Sequence, residues 1–221
     1  MDMVILHSSI GLNRGAAGLL TTEDVLGENG VVAGFERVRE RGMVSLFGFS
    51  GGGDAEALHR VIDSGRFDAA QVFHSVIDPG AGRPVPEDFP GENYRDLIGR
   101  AARRGVGVLN IRVLAAGAIL GPEAAAIHGK GATPGIGVEQ AVTYAAMARD
   151  ALESEKGTTV QKAIRFALAN PGVSGVLVGF GKPEHIDEAV GAVELGPLPD
   201  SALQRLDDLY ASSFGKGDIG G

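Results

Sequence analysis

The stretch Val4-Ile5-Leu6-His7-Ser8-Ser9-Ile10-Gly11-Leu12-Asn13 decides the choice of fold. Val4 to Leu6 is a short apolar run of the kind that forms a strand buried on both faces. A dinucleotide-binding open sheet places a Gly-rich turn directly after its first strand. Here the strand is followed by a histidine and two serines. The glycine cluster Gly51-Gly52-Gly53 comes only after the next apolar run and lacks the full fingerprint. Further runs stand at Val44 to Phe49, Ala69 to Phe73, Val106 to Ile111 and Gly175 to Val178.

Amphipathic stretches with helix signals separate these runs. Val31 to Arg41 stops at Gly42, Asp54 to Ser64 at Gly65, and Tyr94 to Arg104 at Gly105, as left-handed glycines end helices. A helix pair follows the fourth run, Val138 to Glu155 and Val160 to Ala169, with Thr158 and Gln161 spaced as a capping box. Pro183 opens a helix to Val193, and a final helix covers Ser201 to Ser212. Strand and helix alternate as in parallel α/β folds, because parallel neighbours need a crossover. A barrel fits better than an open sheet. In a barrel the polar residues just past the strands converge on one face, and here those are His7, Ser50, His74, Arg112 and the turn Gly179-Phe180-Gly181.

Composition narrows the partners. The chain has 28 acidic against 20 basic side chains, a net charge of −8, and no basic run, which disfavours phosphate backbones of nucleic acid. With no cysteine among 221 residues, disulfides and thiolate sites are excluded and a reducing cytoplasm is the expected setting. The N-terminal stretch is too short for a signal peptide or membrane span. His7 and His74 lack the carboxylate and histidine cluster of a metal site, so no metal is expected. A phosphosugar isomerase or aldolase barrel would need a Lys or Glu at a strand end, and such a reading rests on architecture alone.

Taken in order, the runs resemble the aldo-keto reductase family. Its fourth strand is similar to Val4 to His7, and the next, with a Gly-x-Ser exit, to Phe47-Gly48-Phe49-Ser50. The sixth resembles Ala69 to Phe73, and the seventh, with a Leu-x-x-Gly exit, Val108 through Leu114-Ala115-Ala116-Gly117. Thr158 to Leu168, Pro171-Gly172-Val173, Gly175 to Gly179 and Pro183-Glu184-His185 resemble the last crossover and the cofactor loop. The resemblance implies a partial (β/α)8 TIM barrel of the α/β class, about five β/α units and a C-terminal helix. It also implies carbonyl and alcohol interconversion by hydride transfer with NADP(H), NAD(H) being the alternative, on a small carbonyl or sugar-like substrate.

Carried over by position, His7 is the histidine that hydrogen-bonds the substrate carbonyl. A strand-end histidine read without the family is more often structural. Ser50 and Gln71 would grip the nicotinamide carboxamide. For Ser50 strand-end hydrogen bonding is an equal account, whereas a Gln inside an apolar strand asks for a partner. Leu114, Ala115, Ala116 and Gly117 would pass the pyrophosphate, or simply pack tightly. Gly179, Phe180 and Gly181 before Pro183 would offer amides to phosphate at a helix N-terminus, with Lys182 and His185 near the 2′-phosphate. His185 stands where many members have an arginine, Ile111 where many stack an aromatic ring, and Gly51 where asparagine is common. His74, Arg112 and Asp78 would line the substrate side, or, for His74 and Asp78, lie in a solvated loop.

The family's proton donor is a tyrosine activated by a lysine that is paired with an aspartate, all on segments before the histidine strand. Tyr94, Tyr144 and Tyr210 fall in predicted helices and match none of these. The expectation is a single domain over 1–221, N-terminally incomplete and inactive alone. Three origins are ranked in order: a mis-called start, a split gene whose upstream chain supplies the first units, and a non-catalytic descendant. The last would be a nucleotide-binding or subunit-interaction module. A closed barrel of this class needs eight strands and about 250 residues, so open edges here invite an upstream chain or self-association.

Overall fold

The apolar runs fold as parallel strands, each joined to the next by helical segments. The computed structural model describes residues 1–14, 19–128 and 135–215. In chain order the elements begin with β1 (Met3–Leu6), the two-residue strands β2 (Ile10–Gly11) and β3 (Leu20–Thr21), α1 (Thr22–Leu26), α2 (Val31–Glu40), β4 (Leu46–Ser50) and α3 (Ala55–Asp63). There follow β5 (Ala69–Phe73), α4 (Leu97–Arg103), β6 (Gly107–Ile111), a 3-10 helix Ala115–Leu120, α5 (Pro122–His128) and α6 (Val138–Ala151). The last are α7 (Thr159–Leu168), β7 (Gly175–Val176), α8 (Pro183–Glu194) and α9 (Asp200–Ala211).

The main sheet has five strands in the order β1-β4-β5-β6-β7. This is the sequential order of a partial α/β barrel. β1 pairs with β4 in parallel, Leu6 opposite Phe49, and β4 pairs with β5 in parallel, Ser50 opposite Gln71. Asp68 ties the strand starts together. Its carboxylate accepts from Phe47 N at 2.8 Å and its carbonyl from Gly107 N at 2.9 Å. Burial on both faces holds for β4, where Phe47 to Ser50 are all buried. β1 and β7 close the two ends of the sheet order and are largely half-buried.

The chain divides into two compact units. The first comprises Met1–Val72, Tyr94–Leu109 and Gly172–Ser174. Its core is Phe47, Phe49, Leu58, Val61, Ile62, Leu97 and Ile98. Phe49 meets Phe67 edge-on with centroids 5.1 Å apart, and the Arg39 guanidinium lies 4.3 Å over the Phe47 ring. Asp63 accepts from Arg100 Nε and Arg104 Nε, both at 3.0 Å, which holds its carboxyl below the usual range.

The second unit comprises Phe73–Asn93, Asn110–Pro171 and Gly175–Gly221. Its core gathers Val76, Ile77, Ile164, Phe166, Leu206 and Tyr210. The Tyr144 ring stacks on Phe214 at 4.2 Å, and the buried Tyr210 hydroxyl donates to Val76 O at 3.0 Å. Arg165, only 6% exposed, donates to the carbonyls of Lys156, Gly196 and Pro197 at 2.6, 2.7 and 3.2 Å. A buried cation is thus matched by backbone acceptors.

Two helix boundaries differ from the sequence reading by more than one residue. α4 starts at Leu97 because Arg95 and Asp96 are left-handed, at φ 52° and 58°, and the Asp96 carboxylate accepts from Gly99 N at 3.2 Å. Tyr94 is therefore a buried residue ahead of the helix. α6 ends at Ala151, since Leu152 takes up a non-helical cap conformation. The capping box is made as expected. Gln161 N donates to Thr158 Oγ1 at 3.2 Å and Thr158 N donates to Gln161 Oε1 at 3.0 Å. Thr158 Oγ1 also donates to Glu188 of α8 at 2.6 Å. Thr158→Ala is expected to lower stability by about 1 kcal/mol in urea unfolding. Arg165→Met, which orphans three carbonyls, should cost more. A Thr158→Ala midpoint equal to that of the parent protein would mean the cap contributes nothing.

Candidate active site

Three neighbouring strands bring three polar side chains of the first unit together. His7 follows β1, Ser50 closes β4, and Gln71 lies opposite Ser50 on β5. His7 Nδ1 is 3.0 Å from Ser50 Oγ, and Ser50 Oγ donates to Gln71 Oε1 at 3.3 Å. Ser50 is buried, Gln71 half-buried and His7 exposed, so the row runs from the protein interior to an accessible imidazole. A serine hydroxyl has one proton. While it is given to Gln71, Ser50 Oγ must accept from His7 Nδ1–H. In a neutral ring Nε2 then carries a lone pair, whereas the opposite polarity needs the Gln71 amide turned over.

The loop beyond Ser50 is shaped by close backbone approaches. Gly51 N donates to Gln71 O at 2.7 Å, and a Cβ on Gly51 would stand 2.9 Å from that carbonyl. Gly53 has φ +123° and bridges to Ile10, whose carbonyl would lie 1.9 Å from an added Cβ. The glycine cluster therefore serves chain packing, which seats the β2 segment after His7 against this loop.

In the second unit the exit from β6 is conformationally unusual. Arg112, Ala115 and Ala116 are left-handed at φ 61°, 50° and 49°, ahead of Gly117 at 88°. Such conformations are costly for residues with a Cβ and cluster at functional sites. Ala115 and Gly117 are buried, Leu114 and Ala116 half-buried, and Arg112 exposed. A Cβ on Gly117 would meet Ala124 O at 2.6 Å, so close packing against α5 accounts for that glycine within the chain. Ile111 is half-buried.

Gly179, Phe180, Gly181, Lys182 and His185 are all exposed at the start of α8. Lys182 is the N-cap, without a side-chain capping bond, and Pro183 is the first helical residue. Gly181 N donates to His185 Nδ1 at 3.2 Å. While that bond is made His185 Nδ1 carries no proton, so the ring is neutral and presents Nε2–H as a donor. The turn and the histidine thus act as one unit.

His74 and Asp78 are not in a solvated loop, contrary to one sequence expectation. His74 is 1% exposed and stacks on Phe166 at 4.9 Å. Burial, aided by the charge of Arg83, pushes its pKa down to about 4. Asp78 is 2% exposed, and burial pushes it up to about 7, against the stabilising N–H of Glu92 at 3.1 Å. His74 Nδ1 and Asp78 Oδ2 make no hydrogen bond. The segment that carries them is pinned to α9, where Arg83 Nε donates to Asp207 at 2.6 Å. The apolar frame Val72-Phe73-His74-Ser75-Val76-Ile77 was the available sign that His74 points inward.

All three tyrosines are buried in structural contacts. Tyr94 O accepts from His59 Nε2 at 2.9 Å, and Tyr144 OH accepts from Gln140 Nε2 at 2.6 Å. The Tyr210 hydroxyl, held by Val76 O, is pushed well above its ordinary value by burial. Among the described residues no group of three or more His, Asp or Glu is arranged to hold a metal, and no helix is long and apolar enough to cross a membrane.

A sequential parallel sheet with helical crossovers defines a partial α/β barrel. The family model for the aldo/keto reductase family matches residues 1–211, and the chain belongs to that family. Among solved structures it is similar to aldo-keto reductase AKR11C1 from Bacillus halodurans. The holo form gives a TM-score of 0.66 at 18% identity, covering 96% of this chain and 62% of that one. The apo form gives 0.64, again at 18% identity and with the same coverage. The chain thus spans 62% of the length of these structural relatives. Curated proteins offer no match to the sequence.

The buried pair His74 and Asp78 makes a signed prediction about pH. Asp78 is raised from 3.8 to about 7, so the folded state holds its proton longer, and this contribution to stability is lost as pH rises from about 4 to about 7. His74 is lowered from 6.5 to about 4, so its contribution is lost as pH falls from about 6.5 to about 4. The two slopes oppose each other in one window. Urea midpoints of Asp78→Asn should fall with acid across that window relative to the parent, and those of His74→Phe should fall with rising pH. Slopes unchanged from the parent in both variants would contradict the burial of these groups.

Proposed function

We propose that the chain is the cofactor-binding portion of an NAD(P)H-dependent oxidoreductase that interconverts a small carbonyl compound and its alcohol. The observation that carries this reading is the row His7, Ser50 and Gln71 on neighbouring strands, linked at 3.0 and 3.3 Å, in a chain of this family. A carboxamide needs one donor and one acceptor held side by side. The Ser50 hydroxyl and the Gln71 amide supply both, so the residues present fit the nicotinamide end of the cofactor. Leu114, Ala116 and Gly117 would pass its pyrophosphate. The exposed Gly179-Phe180-Gly181 turn with Lys182 and His185 suits a phosphate, and a 2′-phosphate favours NADP(H) over NAD(H).

Bound, the cofactor supplies a hydride. The chain's own residues orient and manage protons. Ser50 and Gln71 fix which face of the carboxamide-bearing ring is presented. Turning the Gln71 amide over reverses the row: Gln71 Nε2–H donates to Ser50 Oγ, Ser50 donates to His7 Nδ1, and His7 Nε2–H is left to donate to a carbonyl oxygen. The proton polarity at His7 is thereby coupled to whatever engages Gln71. A cysteine-free sequence is compatible with the reducing cytoplasm in which we place this activity.

A second reading is favoured by the tyrosines. Each is buried, which argues against an accessible tyrosine as the proton donor, and a chain that binds nucleotide without turnover is the alternative. Loss of a general acid costs about 100 to 10,000-fold, so aldehyde reduction by the chain alone should be correspondingly slow. Brisk turnover by mass-verified protein would refute that expectation.

Titration of the chain with NADPH and NADH separates binding from structure. Gln71→Ala should weaken NADPH binding by about 2 to 10-fold, the loss of one orienting hydrogen bond, with a melting temperature near that of the parent. Lys182→Ala and His185→Ala should erode the preference for NADPH over NADH. A Gln71→Ala protein that melts much earlier yet binds NADPH unchanged would show Gln71 to be structural.

A further inference from the structure

Resting on the oxidoreductase reading above, we propose that Arg112 holds a carboxylate of the substrate, so that the carbonyl compound taken by this chain is an oxo acid. Arg112 follows β6, which lies between β5 and β7 within the sheet order. In α/β barrels such strand ends form the face where chemistry is done. The backbone holds Arg112 in a left-handed conformation, at φ 61°, and it is fixed from both sides. Ile111 O accepts from His74 N and from Asn110 Nδ2, both at 3.4 Å, and Arg112 O accepts from Ala115 N at 2.7 Å. Glycine adopts this conformation freely, whereas a residue with a Cβ is strained by it.

Among the described residues seven other than glycine have a positive φ, and five of their side chains serve the fold. The Asp96 carboxylate accepts from Gly99 N, the Ser213 hydroxyl reaches Asp88 at 3.5 Å, and the Phe214 ring stacks on Tyr144. Ala115 belongs to the core cluster and Ala116 packs against it. The sixth residue, Arg95, has a partner of its own. Arg112 is the exception, exposed and without a hydrogen bond, ion pair or ring contact from its guanidinium among the described residues. A strained position that keeps a long cation the fold does not use implies a ligand. The guanidinium is always charged, and its planar fork fits the paired oxygens of a carboxylate. A pyrophosphate offers similar oxygens, but in the reading above the backbone of Leu114, Ala116 and Gly117 passes that group. The group left for Arg112 is a carboxylate on the substrate.

Calorimetric titration of the full chain with oxo acids, in the presence of NADPH, tests this. Glyoxylate, pyruvate and 4-carboxybenzaldehyde are each compared with the methyl ester, which keeps the carbonyl and removes the charge. The parent protein should bind at least one acid about 10-fold more tightly than its ester, as one charge-assisted contact allows. Arg112→Gln should abolish that preference, and Arg112→Lys should keep part of it. Arg112→Gly should abolish it while melting no lower than the parent, because glycine relieves the left-handed backbone. A parent protein that prefers no acid over its ester would overturn the proposal, as would a preference that survives in Arg112→Gln. Arg112→Gln that loses affinity for ADP-ribose but still prefers the acids would assign the guanidinium to the pyrophosphate and overturn it equally. NADPH titration of the same proteins tests the premise separately. An acid preference through Arg112 without NADPH binding would sink the oxidoreductase reading and keep the carboxylate contact, whereas NADPH binding without the preference would do the reverse.

Discussion

The parallel register that sets Ser50 opposite Gln71 is the constraint on which the candidate site depends. In a parallel ladder side-chain direction alternates, so a slip of one residue would turn Gln71 to the other face of the sheet. Asp68 holds that register from the opposite end, accepting from β4 through its carboxylate and from β6 through its carbonyl. β4 is buried along Phe47 to Ser50, which fixes its facing by hydrophobic burial rather than by the polar contacts themselves. Chemistry at the strand ends is thus positioned by a core that takes no part in it.

The second unit shows the reverse arrangement, with polar groups placed inside. Burial shifts His74 and Asp78 towards their neutral forms, and Arg165 is buried as a cation but satisfied by three carbonyls. A neutral group with one unpaired buried atom, as at His74 Nδ1 and Asp78 Oδ2, is tolerable where a charged one would not be. The contacts of Tyr210 with Val76 and of Arg83 with Asp207 lock the long segment after β5 onto α9. That segment is ordered by its attachments and not by regular structure.

Much of the fold was legible because it follows from local pattern. The apolar runs at Ala69 to Phe73 and Val106 to Ile111 became β5 and β6 almost residue for residue, and the Thr158 and Gln161 spacing became a complete capping box. Features set by distant residues were not legible. Nothing in Ala115-Ala116 announces left-handed backbone, which packing of Gly117 against Ala124 accompanies. The two-residue strands β2 and β3 are too short for any period to show. His74 looked like a loop residue because its partner Phe166 lies far along the chain, and Tyr94 looked helical because the left-handed turn at Arg95 and Asp96 leaves little compositional trace. Of the site, the proximity of His7, Ser50 and Gln71 fits the family resemblance, whereas the bond between Gly181 and His185 was not foreseen.

The central proposal is that Ser50, Gln71 and His7 receive the nicotinamide end of a cofactor and that Lys182 and His185 receive an adenosine phosphate. NMR of the isotopically labelled chain tests the two assignments separately, using NADPH and the fragment 2′,5′-ADP, which has no nicotinamide. The account predicts that NADPH shifts the Gln71 side-chain amide and the His7 ring together with the His185 ring, and that 2′,5′-ADP shifts the His185 ring alone. Equal shifts at Gln71 and His7 with both ligands, or none with either, would contradict it.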